Sequence, residues 1–338
     1  MSTTVFITGA NGEIGHGLIQ HLSDQDNINI VALDLHPFDP EVAKRCTRTV
    51  VGDILDSSLL QSLSAAHEFD AIYHLAALLS TRSEKEPLLA HRVNVDGMLN
   101  ILELATTQSR MQGRPVKVLY PSSIAVYGMP SLEAKRLATA VRETDWCQPR
   151  TMYGVNKLYC EHLGTYYSDH YRQLDASPAG ARVDVRSIRF PGLISAATLP
   201  TGGTSDFGPE MLHQAAQKKP YACFVREDAR IPFMAMPDAV RALLKLAAAP
   251  AERLKQRSYN IGAFNPSAGE FAELVRAAFP DAQITFEPDL RRQAIVDSWP
   301  ADVDTSAATR DWEFKPAYSL KRAFEEYLVP AVKARYRE

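Results

Sequence analysis

The stretch "VFITGANGEIGHGL", Val5 to Leu18, constrains this chain more than any other. Three apolar residues and Thr8, all strand formers, run straight into Gly9, Gly12 and Gly15, and an amphipathic pattern follows at once. Strand, Gly-x-x-Gly-x-x-Gly turn and helix in direct succession specify the opening of a βαβ unit. The first glycine permits a tight turn, the second lets the backbone approach a pyrophosphate, and the third lets helix and strand pack closely. Such a turn aims a helix N-terminus at negative charge. Glycines collect in any turn, so it is the position after the first strand that gives the pattern weight.

Strand-like runs alternate with helical ones through the first half. "TVFITG" leads to a helix over about Ile14–Leu22 and then to "NINIVALD"; "TRTVVGD" leads to "SSLLQSLSAA" and "FDAIYHLAA". A long helix from about Pro87 to Gln108 precedes "VKVLYPSS", and a helix around Tyr153 precedes "VDVRSIRF". This order predicts an α/β fold: a Rossmann-type, doubly wound parallel sheet covered on both faces. After Phe190 the texture changes. "PGLISAATLPTGGTSDFGPE" reads as a loop region over a site, and "LDASPAGA" as a surface excursion. Ser267 and Glu270 form a capping box for a helix in "SAGEFAELVRAAF". We expect a nucleotide-binding domain over 1–190 with a return segment at about 231–262. The segments 191–230 and 263–338 then form a smaller substrate-binding lobe.

Composition narrows the function. Of 338 residues, 46% are hydrophobic and the formal net charge is -3, which gives no electrostatic case for nucleic acid or an anionic membrane. No apolar run is long enough to span a bilayer, and the N-terminus lacks a basic leader. The four cysteines are scattered and no histidine spacing suits a metal, so free thiols, a cytoplasmic location and no metal are expected. His74 reads as a satisfied core histidine at a strand end.

Asp34 ends the second strand roughly twenty residues after the glycine turn, where an acid accepts ribose hydroxyls. It would repel a 2′-phosphate and no arginine directly follows, so the expected cofactor is NAD. The cofactor set is Gly9, Gly12, Glu13, Ile14, Asp34, Asp53, Ile54, Leu75, Ala76 and Ala77, joined by Tyr153 and Lys157. Asp53 falls at the end of the third strand, near where an adenine would lie. "VLYPSSIAVYG" ends a strand with Ser122 and Ser123, and Tyr153 and Lys157 lie one turn apart on the next helix. At that spacing their Cβ atoms are about 5–6 Å apart. The expected chemistry is removal of a hydroxyl proton by Tyr153 while hydride leaves the same carbon. Lys157 lowers the phenol pKa and Ser123 holds the oxygen.

These motifs resemble the extended short-chain dehydrogenase/reductase superfamily, which includes sugar-nucleotide epimerases, over essentially the full length. Within it, "LLSTRSEKEPLLAHRVNVDGMLNILELA", "PGLIS", "GGTSD" with "PEMLH", and "IVDSWPADVDTSAATRDWEF" resemble NAD-dependent L-threonine 3-dehydrogenases of the epimerase-like type. The resemblance implies oxidation of L-threonine to 2-amino-3-oxobutyrate, and a homodimer built on the helices from Pro87 and Tyr153. It implies substrate contacts from Ser80, Ser123, Tyr153, Thr204, Ser205 and Trp299. Asp206 suits an ammonium group, as small hydroxyl donors suit a carboxylate.

Ser205 stands where the family more often has threonine, and Phe207-Gly208-Pro209 replaces a Tyr-Ala pair. "MPSLEAKRLATAVRETDWCQ", residues 129–148, is longer and more basic than the family pattern. These departures bear on substrate range more than on reaction type. Three other readings share the fold: a sugar-nucleotide epimerase, a dehydrogenase of another small 3-hydroxy acid, and a non-catalytic NAD-binding regulator. Pro191 stands where epimerases usually carry asparagine, and retention of Ser123, Tyr153 and Lys157 together argues against the regulator. Arg230 resembles an arginine that dehydrogenases and epimerases both retain.

Overall fold

The structure, a computed structural model, describes residues 2–174, 183–200 and 202–336. Its main sheet has seven strands: β1 (Thr3–Thr8), β2 (Ile28–Asp34), β3 (Arg48–Val51), β4 (Ala71–His74), β5 (Lys117–Ser123), β6 (Asp184–Phe190) and β10 (Ser258–Asn260). Their order is β10-β6-β5-β4-β1-β2-β3. β1 pairs in parallel with both β2 and β4, β2 with β3, and β4 with β5. Strand order reverses at β1, so the chain ends that follow β1 and β4 open side by side, the place where such sheets take ligands. Two smaller parallel pairs join β7 (Gly192–Ile194) to β9 (Phe233–Ala235) and β8 (Tyr221–Cys223) to β11 (Ile284–Phe286).

The chain divides into two compact units. The first holds Met1–Ser122, Val155–Ile188 and Val240–Tyr259; the second holds Ser123–Gly154, Arg189–Ala239 and Asn260–Glu338. In the first, Phe6, Val31, Leu33, Ile72, Ile101, Leu102 and Val118 belong to one buried cluster, so the strands read as continuous apolar runs because both sheet faces are covered. In the second, an aromatic series joins Phe207 to Phe233, with ring centroids 5.4 Å apart, Phe233 to Phe271, and Phe271 to Phe324 at 5.0 Å.

The expected elements occur with small shifts at their ends. The first helix is Glu13–Ser23, and the long helical run extends from Pro87 through one wider turn at Arg92–Asp96 to Gln112. It stops at Gly113, whose φ of 68° lies in the left-handed region. The Ser267–Glu270 capping box is present. The region after Phe190 departs from its loop reading, because helix Phe207–Ala216 begins inside it. Gly208 and Pro209 look like breakers, yet proline in a first turn forfeits no intrahelical hydrogen bond. Apart from Leu174, the "LDASPAGA" excursion lies outside the described residues. No helix among the described residues is long and apolar enough to cross a membrane.

Candidate active site

The turn after β1 has the features a nucleotide phosphate needs. Gly9 adopts φ 65°, and a Cβ there would lie 2.6 Å from the Ala76 amide nitrogen, so only glycine allows β1 and the Leu75–Ala77 backbone to close up. Gly12 is the N-cap of helix Glu13–Ser23 and makes no side-chain cap, which leaves the first-turn N–H groups facing the turn. Glu13 and Ile14 form that first turn, both partly buried. Asp34 ends β2 beside it. One carboxylate oxygen accepts from the Asn11 amide at 2.9 Å and the other from the His36 amide at 3.1 Å. Each oxygen keeps a further lone pair for a ligand hydroxyl.

Asp53 follows β3, with its Oδ1 accepting from the Leu55 amide at 2.9 Å; Ile54 is buried. Leu75 and Ala76 follow β4 and are tied to Thr8 through its carbonyl and its hydroxyl. Apart from Tyr153 and Lys157, the expected cofactor residues lie at the carboxyl ends of β1 to β4, and their chemistry fits a dinucleotide.

Ser123 ends β5, and Tyr153 lies in the first turn of helix Met152–Thr165. Thr151 starts that helix, its hydroxyl accepting from the Gly154 amide at 3.1 Å. The reason for glycine beside Tyr153 is steric. A Cβ at Gly154 would sit 2.0 Å from the Ala125 carbonyl oxygen, so any larger residue would push the helix away from the turn that follows Ser123. With that approach allowed, the Tyr153 phenol and the Ser123 hydroxyl hydrogen-bond, and the Ser123 oxygen also accepts from the Ala125 amide at 3.1 Å.

Lys157, one turn on, is 3% exposed. Its Nζ donates to the Pro121 carbonyl at 2.6 Å and lies 4.5 Å from the centre of the Tyr120 ring. Burial pushes the ammonium pKa down to about 8, with Cys160 and Glu161 acting against that fall. Burial likewise pushes the Tyr153 phenol up, and the Ser123 hydrogen bond only partly offsets the rise. The expected lowering of the phenol pKa is thus not a property of the protein alone. A dry site penalises phenolate and ammonium alike, each on its own account.

Ser122 does not share its neighbour's setting; its hydroxyl donates to Glu161 Oε1 at 2.5 Å. His74 is buried, with Nδ1 2.8 Å from the Thr8 hydroxyl, and burial pushes it down to about 3, so its ring is neutral.

The residues expected around a substrate fall on separate pieces. Ser80 opens helix Ser80–Lys85. Thr204 is buried within a turn closed by the Gly203 amide donating to Asp206 Oδ2 at 2.7 Å; Ser205 lies between them. Trp299, 4% exposed, ends helix Leu290–Ser298. Arg292 carries no signal in the sequence that ties it to the turn at Thr204. Its guanidinium donates to the Gly203 carbonyl at 2.7 Å and stacks 3.1 Å from the Phe224 ring centre, supporting the Thr204 turn. Glu161, by contrast, stands at the i, i+4 spacing from Lys157, a signal legible in the sequence.

Sheet, glycine turn and the Ser123–Tyr153–Lys157 set define an extended short-chain dehydrogenase/reductase. Residues 5–262 match the profile of the NAD dependent epimerase/dehydratase family, and the chain belongs to that family. It is 33% identical to the mitochondrial L-threonine 3-dehydrogenase of Bos taurus, over 94% of this chain and 79% of that protein. Among solved structures it resembles L-threonine dehydrogenase from Clostridium difficile, with 31% identity, a TM-score of 0.86 and 99% of each chain covered. It also resembles a monomeric L-threonine 3-dehydrogenase from a metagenome in its apo form, with 32% identity and a TM-score of 0.84 over 98% of this chain and all of that one.

Proposed function

We propose that the protein is an NAD-dependent dehydrogenase that oxidises the C3 hydroxyl of L-threonine to 2-amino-3-oxobutyrate. The observation that carries this reading is the Ser123–Tyr153 hydrogen bond with Lys157 one helical turn away, on a sheet whose neighbouring strands end in the Gly9 turn and Asp34. Likeness to L-threonine 3-dehydrogenases over nearly the whole chain supports the choice of substrate.

NAD, when bound, accepts the hydride from C3 and brings a positively charged ring. Asp34 receives the ribose hydroxyls and disfavours NADP; the Gly9–Ile14 turn, Asp53, Ile54 and Leu75–Ala77 hold the remainder. Tyr153 as phenolate takes the hydroxyl proton as the C3–H bond breaks, and Ser123 holds the substrate oxygen. Bringing a phenol from about 10 to about 7 requires roughly 4 kcal/mol. One ammonium at about 4 Å supplies about that much at an effective dielectric near 20. Burial has already raised the Tyr153 phenol, so more than this is needed. Lys157 supplies part of it, as long as it keeps its own proton, and the positive ring of bound NAD a further part. Thr204, Ser205 and Ser80 donate to the amino acid carboxylate, Asp206 receives its ammonium and Trp299 closes the apolar side.

The segments 191–230 and 263–338 act as the substrate lobe, and 1–190 with 231–262 as the cofactor domain. We place the enzyme in the cytoplasm as a homodimer. Helix Met152–Thr165 and the turn that follows leave Val155, Tyr159 and Tyr166 between 42% and 51% exposed, an apolar stripe suited to a second copy. NADH formation from purified protein, NAD and L-threonine at mildly alkaline pH tests the reading, with L-allo-threonine, L-serine and 3-hydroxybutyrate alongside. Turnover on another panel member but not L-threonine would keep the chemistry and discard the substrate.

A further inference from the structure

The mechanism above leaves one buried charge unused. Glu161 is 5% exposed and lies one turn beyond Lys157 on the same helix. The Ser122 hydroxyl donates to its Oε1 at 2.5 Å, while the carbonyl of the preceding residue, Pro121, accepts from Lys157 Nζ at 2.6 Å. Two consecutive residues of β5 therefore hold the two opposite charges of one helical turn. A buried carboxylate is expensive to keep, and an uncharged residue of similar shape would often serve stability as well or better. Glutamine would still accept from Ser122, so what glutamate adds here is the negative charge.

The other groups around Lys157 do not supply that charge. His74 on β4 is neutral, and Tyr120 on β5 offers a ring face. Cys160 on the same helix favours the ammonium too, but burial pushes its thiol up to about 11, so near pH 8 it is protonated. Tyr153 lies one turn back on the helix and is a phenol whose ionisation burial opposes.

We propose that Glu161 is a positioning residue: clamped by Ser122, its carboxylate keeps Lys157 charged and seated on the Pro121 carbonyl. The functional part of this inference rests on the role proposed for Lys157; the electrostatic part does not. Removing the carboxylate leaves the buried ammonium with less support, so Lys157 gives up its proton at lower pH. The alkaline limb of turnover, where the ammonium is lost, moves down with it.

Lysine side chains labelled for NMR, in the full-length protein without cofactor, read the Lys157 titration directly, and Lys157→Met assigns its signal. In Glu161→Gln the midpoint is expected to fall by about one unit or more. Glu161→Asp, which keeps the charge but draws it back, should fall by less. The high-pH limb of kcat should follow in the same order, with KM for L-threonine little changed. An unmoved Lys157 midpoint in folded Glu161→Gln protein overturns the proposal. Should that variant fail to fold, an unmoved midpoint in Glu161→Asp does so. A wild-type protein silent on every hydroxy acid, with the Lys157 shift intact, would instead sink the dehydrogenase reading and leave the charge relationship standing.

Discussion

The turn after β1 and the segment 128–148, which carries the short helix Leu132–Leu137, are held by opposite means. At the turn the determinants are close in sequence: a positive φ at Gly9, an uncapped helix start at Gly12, and Asp34 accepting from Asn11. The segment is held by partners far along the chain. Met129 donates its amide to the Ser298 carbonyl at 2.7 Å, Lys135 Nζ donates to the Val296 carbonyl at 2.8 Å, and Val141 donates to the Asp302 carbonyl at 3.1 Å. At its foot the buried Tyr127 phenol donates to Asn260 at 2.7 Å and accepts from Arg189 at 2.9 Å. The first kind of order comes from local stereochemistry; the second exists only once the chain has folded back on itself.

The contrast is sharpest at Tyr153, a chemical side chain placed by the local kind of constraint. Tyr153→Phe should lower turnover about 10²- to 10⁴-fold, with cofactor affinity and melting temperature nearly unchanged. Turnover within tenfold of wild type would remove Tyr153 from the role of base.

Asp34→Ala probes the turn. Hydrogen bonds to a charged partner are worth about 1.5–3 kcal/mol, so NAD affinity should fall roughly 10- to 150-fold while NADP binding holds or improves. Titration of both dinucleotides checks this, and an unaltered ratio would show that Asp34 does not read the ribose.

Tyr127→Phe probes the long-range kind. It strips a partner from Asn260 and Arg189 in a buried place, for a loss of about 1–3 kcal/mol in urea unfolding. NAD affinity should not move; if it did, the two regions would not be as separate as their bonding implies.

The smallest effect concerns pH. The Lys157 pKa of about 8 lies below its ordinary 10.5, so between those values the unfolded chain binds the extra proton and stability rises with pH. Below about 8 the penalty of burying the ammonium is present in full. Lys157→Met should therefore be more stable than wild type at pH 7, by about 1 kcal/mol after the lost bond to Pro121 is subtracted. The advantage should shrink toward pH 10.5. An advantage that stays constant across that range would place the effect elsewhere than on the proton.

The same contrast explains what could be read before the fold was seen. The strand-turn-helix opening, the acid at Asp34 and the Tyr153–Lys157 spacing are short-range patterns, and the structure places them where such patterns belong. Helix Phe207–Ala216 was hidden because Gly208 and Pro209 mimic a loop, and its support comes from tertiary packing of Phe207 against Phe224 and Phe233. Arg292 could not be tied to the Thr204 turn, because its bond to Gly203 spans 89 residues. The partnership of Ser122 with Glu161 reaches across 39, and no local spacing announces it. Nor did residue patterns foretell that the Tyr153 phenol is pushed up, since that follows from how dry its surroundings are.

The two ends of the segment 128–148 already meet: the Gly128 amide and the Gln148 amide both donate to the Trp146 carbonyl, at 2.9 and 2.7 Å. Closed at its base, the stretch is still tied down along its length by Met129, Lys135 and Val141. The entropy of closing such a loop grows only as the logarithm of its length. Residues can therefore be added between those ties at small cost, while Ser123 on one side and Thr151 on the other keep their places.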